Sequence, residues 1–170
     1  MNKAKTLKGW DRLSMEIHDW VLDNYERPSQ PWELFLGVVE EIGEFLESTN
    51  NEKRIDSLGD QVIYALNLQK TAGLNGFMLE EGAPMLRITS ERLLLAVARG
   101  SRCLLKKSQG IRGYDETRVK SEIGLFLNVW WTWAVRQVNV YDLPTMLEIT
   151  NQVWEEVSKR NWKEHPETGK

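Results

Sequence analysis

An all-α fold, a bundle of about six helices in a single domain spanning residues 1–170, is predicted by three observations. Apolar residues recur three and four apart through six segments, and no stretch shows the strict alternation of a half-buried strand. Stretches containing Gly, Pro and Asn punctuate those segments. The 170 residues, 41% hydrophobic and 28% charged, have globular composition and enough length to bury one core without disulfides.

The predicted helices cover 8–25, 31–49, 52–72, 85–108, 116–139 and 142–161. Pro31 and Pro84 suit a first helical turn, where a missing N–H costs nothing, so "SQP" and "EGAP" read as the loops before two of these helices. Asp142 is the expected cap of the last helix, with Pro144 just inside it. "TAGLNGFMLEEGAP", residues 71–84, holds three glycines and a proline and is the expected hinge between two halves. Each half then reads as a long helix, a polar turn and a second long helix (31–72 and 85–162). "EEIGEF" in the first half has no acidic counterpart around "ARGSRCLL", so the second half is expected to be a degenerate copy.

Bulk properties narrow the partners. A net charge of −3 without a Lys/Arg run argues against a nucleic-acid polymer held by counterion release. Cys103 is the sole cysteine, which excludes an intramolecular disulfide and fits a small core residue. No apolar run approaches the ~20 residues of a membrane span, and "MNKAKTLKGWDR" lacks the apolar stretch of a secretory signal. The expectation is a cytoplasmic protein with no membrane partner. Eight tryptophans either fill helix crossings or stack on a ring ligand; Trp130 and Trp133 in "VWWTWAV" share a side, and Trp20 and His18 are candidates for base recognition. The chain has no P-loop, dinucleotide fingerprint or zinc-protease helix.

Charge is concentrated in one place. "VVEEIGEFLEST", residues 38–49, holds Glu40, Glu41, Glu44 and Glu47. On a helix, Glu40, Glu44 and Glu47 form a stripe with Glu33, Glu41 lies at its edge, and Phe35, Val38, Val39, Ile42, Phe45 and Leu46 lie opposite. Either this is a wet face, or a cation sits among the carboxylates, because like charges three or four apart repel by about 0.2–0.5 kcal/mol per pair. The next helix bears on the choice: Asp56, Asp60, Tyr64 and Asn67 share a narrow polar strip between apolar flanks. A short connection makes the two helices antiparallel neighbours. Glu41, Glu44 and Asp60, with Asp56 or Glu40 nearby, would then supply the hard oxygen ligands that suit Mg²⁺ or Mn²⁺. A carboxylate di-iron site would want Glu-x-x-His, and neither His18 nor His165 stands at such a position.

"EEIGE" at 40–44 followed by "DSLGDQVIYAL" at 56–66 resembles the MazG-like all-α nucleoside triphosphate pyrophosphohydrolases. "LLKKSQGIRGYDE" (104–116) and "VWEEVSKRNWKEHPETG" (153–169) resemble further segments of that family. The resemblance implies that Glu41, Glu44 and Asp60 ligate Mg²⁺. The family's remaining ligand position falls on Ser57, a departure, with Asp56 beside it at a position often acidic. In the second half Leu125 stands where the final aspartate would be, and Glu122 is the acidic remnant. The implied activity is hydrolysis of an NTP or dNTP to monophosphate and pyrophosphate, with Glu40 or Glu41 orienting the attacking water or accepting its proton. Lys106, Arg112 and Arg160 are candidates to hold the triphosphate, although cations at helix C-termini are also favoured by the dipole alone. Tyr64 and Asn67 are candidates for the base. The family often assembles through helix-bundle interfaces, so a homodimer is expected. Two alternatives remain open: a nucleotide-binding or regulatory protein that lost efficient catalysis, and a helical interaction module with merely solvated glutamates.

Overall fold

Side-chain caps decide where most of the helices begin. In the computed structural model, which describes residues 8–25, 27–74, 88–161 and 163–164, the helices are α1 (Trp10–Asn24), α2 (Pro31–Glu47), α3 (Asn51–Thr71), α4 (Ser90–Ser108), α5 (Glu116–Val140) and α6 (Met146–Val157). There is no strand among the described residues. Asn50, Thr89 and Asp115 accept from the backbone N–H three residues on, at Lys53, Arg92 and Arg118. Before α2, with Pro31 at its first position, Glu33 reaches back to the N–H of Gln30 at 2.7 Å.

Three expectations need correction or fall outside these residues. The last helix is capped by Thr145 rather than Asp142: Thr145 and Glu148 form a capping box that satisfies two N–H groups reciprocally. Pro144 therefore lies outside the helix, and Asp142, at φ 51°, belongs to the turn after α5. Leu46 is not in the core but 66% exposed, because the buried side of α2 centres on Phe35, Val38, Ile42 and Phe45. The fourth helix starts at Ser90, while residues 85–87, Pro84 and most of the expected hinge lie outside the described residues.

Packing partners give each helix its direction. The Ser48–Asn50 link turns α3 back along α2, with the Tyr64 ring lying where a Cβ on Gly37 would stand (2.6 Å) and Gln61 Nε2 donating to the Glu41 carbonyl at 3.1 Å. Phe35 meets Phe126 while Phe45 meets Trp133 and Tyr141, so α5 runs in the same direction as α2. Arg99 pairs with Glu122 and Lys107 with Glu116, which makes α4 antiparallel to α5 and hence to α2. Gly100 of α4 admits the Phe35 ring. α6 lies across α3, with Val153 occupying the space above Gly59. α1 closes against both, through His18 to Asn67 and through Trp20 edge-on to Trp154 at 5.7 Å. The acidic pair and the α4–α5 pair thus share one core. No helix of the described residues is long and apolar enough to cross a membrane.

Gln61 is the polar centre of that core. It is fully buried, donates to the Glu41 carbonyl and accepts from Trp130 Nε1 at 2.8 Å, so one amide joins α2, α3 and α5. Gln61→Leu strands the Trp130 N–H without an acceptor. We expect a loss of about 1–3 kcal/mol, read in a thermal melt as roughly 2–4 °C per kcal/mol; an unchanged melting temperature would show that the bridge contributes no stability.

Candidate metal and phosphate site

The register of α2 on α3 brings the acids together. Gly37 against Tyr64 and Glu41 against Gln61 place Glu41 beside Asp60 and, one turn on, Glu44 level with Ser57. Glu41 and Asp60 are half-buried on the seam, whereas Glu40, Glu44 and Asp56 stand exposed around it. Burial pushes the Glu41 carboxyl up to about 8, reinforced by the charges of Asp60, Glu44, Glu40 and Asp56. Asp60 rises to about 6 by burial and by Asp56, with Arg160 acting in the opposite sense. Two carboxyls that resist ionisation side by side form a site short of positive charge.

Chemically these donors suit a hard divalent cation. Mg²⁺ is commonly held by one or two carboxylates together with waters and substrate phosphates. Glu41 and Asp60 would hold it, with Glu44 and Asp56 at the rim; among the described residues no three acidic, His or Cys side chains already stand at ligating spacing. Ser57 is buried, 3% exposed, so a hydroxyl occupies the position where the resemblance asks for a carboxylate.

The remaining candidates separate. Tyr64 is half-buried next to the acids, and its hydroxyl is pushed up to about 12 by burial, then by Tyr25, Glu41 and Asp60. Asn67 is buried and hydrogen-bonded to His18 (Nδ1···Oδ1 3.3 Å), so it serves the α1–α3 contact rather than the acid site. Arg160, past the end of α6, acts on both Asp60 and Tyr25. It also lines an open cleft of about 330 Å³, with Trp20, Asn24 and Lys163 and the acids Asp23 and Glu164 among its neighbours there. The buried indole N–H of Trp20 has no hydrogen-bond acceptor. Lys106 ends α4 and Arg112 sits in the turn after it, on the α4–α5 side, where neighbouring Lys107 pairs with Glu116. Neither is among the charges that act on Glu41 or Asp60.

Sequence reasoning missed three contributors. Gly37, one turn before Glu41, lets Tyr64 approach, and its place on a polar-to-apolar boundary was a readable signal. Gln61, adjacent to Asp60, looked like one more polar residue. Tyr25 lies beyond the end of α1 and nothing local marks it as a neighbour of Tyr64. Comparison with known proteins gives no match to any family model, curated protein or solved structure.

Proposed function

We propose that the chain is a Mg²⁺-dependent nucleoside triphosphate pyrophosphohydrolase of the MazG-like kind, converting an NTP or dNTP and water to the monophosphate and pyrophosphate. One observation carries this reading: Glu41 and Asp60, from adjacent antiparallel helices, share a half-buried acid site with Arg160 at its edge. Bound Mg²⁺ supplies neutralising charge for the phosphate oxygens and lowers the pKa of a bound water. With the cation neutralising the acid cluster, Glu41 or the exposed Glu40 beside it would orient the attacking water or accept its proton. Arg160 takes phosphate charge by charge-assisted hydrogen bonds. The cleft beyond Arg160, with the free indole donor of Trp20, is the direction in which the rest of the nucleotide extends. In the α4–α5 pair, Glu122 is engaged by two Arg99 hydrogen bonds of 2.9 and 3.0 Å, which fits a second copy that gave up its metal.

Ser57 favours a second reading, a protein that binds Mg²⁺-nucleotide without turning it over efficiently, because the position level with Glu44 lacks a carboxylate. A panel of nucleotides with Mg²⁺, scored for pyrophosphate, separates the two. Release from at least one nucleotide, reduced ten-fold or more by Glu44→Ala, is the expected result. Binding without product selects the second reading, and neither binding nor product leaves a helical interaction module. The cytoplasmic setting and the homodimer belong to the same proposal.

A further inference from the structure

The basic residues that the acid site leaves unused collect on α4 and the turn after it. Residues 88–120 hold eight Lys or Arg against three Asp or Glu, a surplus of five in a chain of net charge −3, so the remainder stands at −8. The 19 residues of α4 include one acid, Glu91 in the first turn. Arg92, Leu95, Arg99, Arg102 and Lys106 are spaced three, four, three, four and so share one side of the helix. Beside them run Leu94, Ala98 and Leu105, and Ile111 and Arg112 follow in the turn. Leu94, Leu95, Leu105 and Ile111 are each 44% to 68% exposed. Arg99 has an acid partner, Glu122, whereas Arg102, Lys106 and Arg112 have no ion pair among the described residues.

Leu93, Ala96, Gly100 and Cys103 form the buried side of α4, which faces α5 and α2, so the exposed leucines and cations stand on its outer ridge and not in a groove between helices. A partner helix seats in a groove. A ridge of leucines flanked by arginines fits a lipid surface instead: the aliphatic side chains enter the acyl boundary while the cationic heads stay level with the headgroups. We infer that the outer ridge of α4 binds an anionic phospholipid surface, with Leu94, Leu95 and Leu105 entering the headgroup boundary and Arg99, Arg102 and Lys106 paired with lipid anions. A nucleic-acid backbone would match the charge but leave the leucines against hydrated phosphate, and Tyr114 in the adjoining turn already carries the Arg118 guanidinium at 4.3 Å. Charge also sets the orientation. The acidic remainder is repelled, and Glu41 and Asp60 lie on the α3 side of α2, whereas α4 packs on its Phe35 side. The acid site therefore stays turned from the lipid. The expectation of no membrane partner rested on the want of a spanning segment, and a surface contact needs none.

Co-sedimentation of the full chain with vesicles tests this without nucleotide, so its outcome and that of the hydrolase reading are separate. Binding is expected to vesicles with about one-third phosphatidylserine and not to pure phosphatidylcholine, falling about ten-fold or more between roughly 0.1 and 0.5 M salt. Arg102→Glu combined with Lys106→Glu should weaken it about ten-fold or more. Leu94→Ser combined with Leu95→Ser should weaken it several-fold with the salt dependence retained, and both variants should keep their helical circular dichroism. Arg112→Glu, in the turn outside any helix, takes the place of a charge variant that loses its helices. Lys53→Glu, an equal charge change at an exposed position of α3, should stay within about two-fold of the native chain. No binding to the anionic vesicles at the lower salt overturns the inference and leaves the ridge to an acidic protein segment. Equal binding to both vesicle types, or an equal loss from Lys53→Glu, also overturns it. So does binding indifferent to the two leucines, which marks a general polyanion surface.

Discussion

Glu41→Gln is expected to raise the melting temperature of the metal-free protein at pH 8 while reducing nucleotide turnover by about 10²-fold or more. The carboxyl of Glu41 lies near 8 in the folded chain against an ordinary value of 4.5. Between those values the folded state holds more protons than the unfolded state, so stability falls as pH rises through the window and the full cost is present above about pH 8. Glutamine keeps the shape and removes the charge. After allowance for water at the half-exposed edge, the gain is on the order of 1 kcal/mol, or roughly 2–4 °C. Asp60, near 6 against 3.8, leaves a smaller decline between about pH 4 and 6 in the variant. Melts of both proteins from pH 5 to 8 in EDTA check the sign; a native protein whose stability rises across that range would remove the electrostatic basis of the site. Adding Mg²⁺ should restore the native protein at pH 8 far more than the variant, with proton release seen by calorimetry in two buffers.

Gly59→Ala is expected to cost about 1–3 kcal/mol, because the added methyl has to displace Val153 and with it α6. The displacement has a second effect. Arg160 lies three residues past Val157, the end of α6, and its charge holds the Asp60 carboxyl below where burial alone would set it. Moving Arg160 outward raises Asp60 further, so the acid limb of turnover should shift to higher pH while KM for nucleotide rises. Arg160→Gln separates the two effects: it should reproduce the shift and the KM change with little loss of melting temperature. If Gly59→Ala lowers stability with an unchanged pH profile, the α3–α6 contact supports the fold without positioning the cation.

How much of this was legible in the sequence follows from the range over which each signal acts. Helix periodicity and capping are local, and six helices were readable, including the α2–α3 pair that converges Glu41 and Asp60. The start of α6 was misjudged because Asp142 and Thr145 both offer a capping oxygen, and only the reciprocal bond from Glu148 decides between them. Leu46 reads as inward because an apolar residue at the margin of a helix face has no sequence mark telling core from surface. Asn67 shares the Asp60–Tyr64 stripe, yet the partner that claims it, His18, is 49 positions away. Lys106, Arg112 and Arg160 were equivalent as charges near helix ends; only the path of α6 over α3 distinguishes the third.

α3 is packed upon from several sides, by α2, α6 and α1, and Gln61 fastens it to α5. The carboxylates sit on α2 and α3, and the balancing guanidinium extends from the stub after α6. On the proposed reading, a nucleotide would meet walls built on helices that pack into the interior, so adjustment would fall to the long side chain of Arg160 and the exposed Glu40 and Glu44. Recognition of that type would discriminate by fixed dimensions: it would tolerate whatever fits the gap and exclude what does not, and enlarging its repertoire would require trimming the walls rather than loosening a joint.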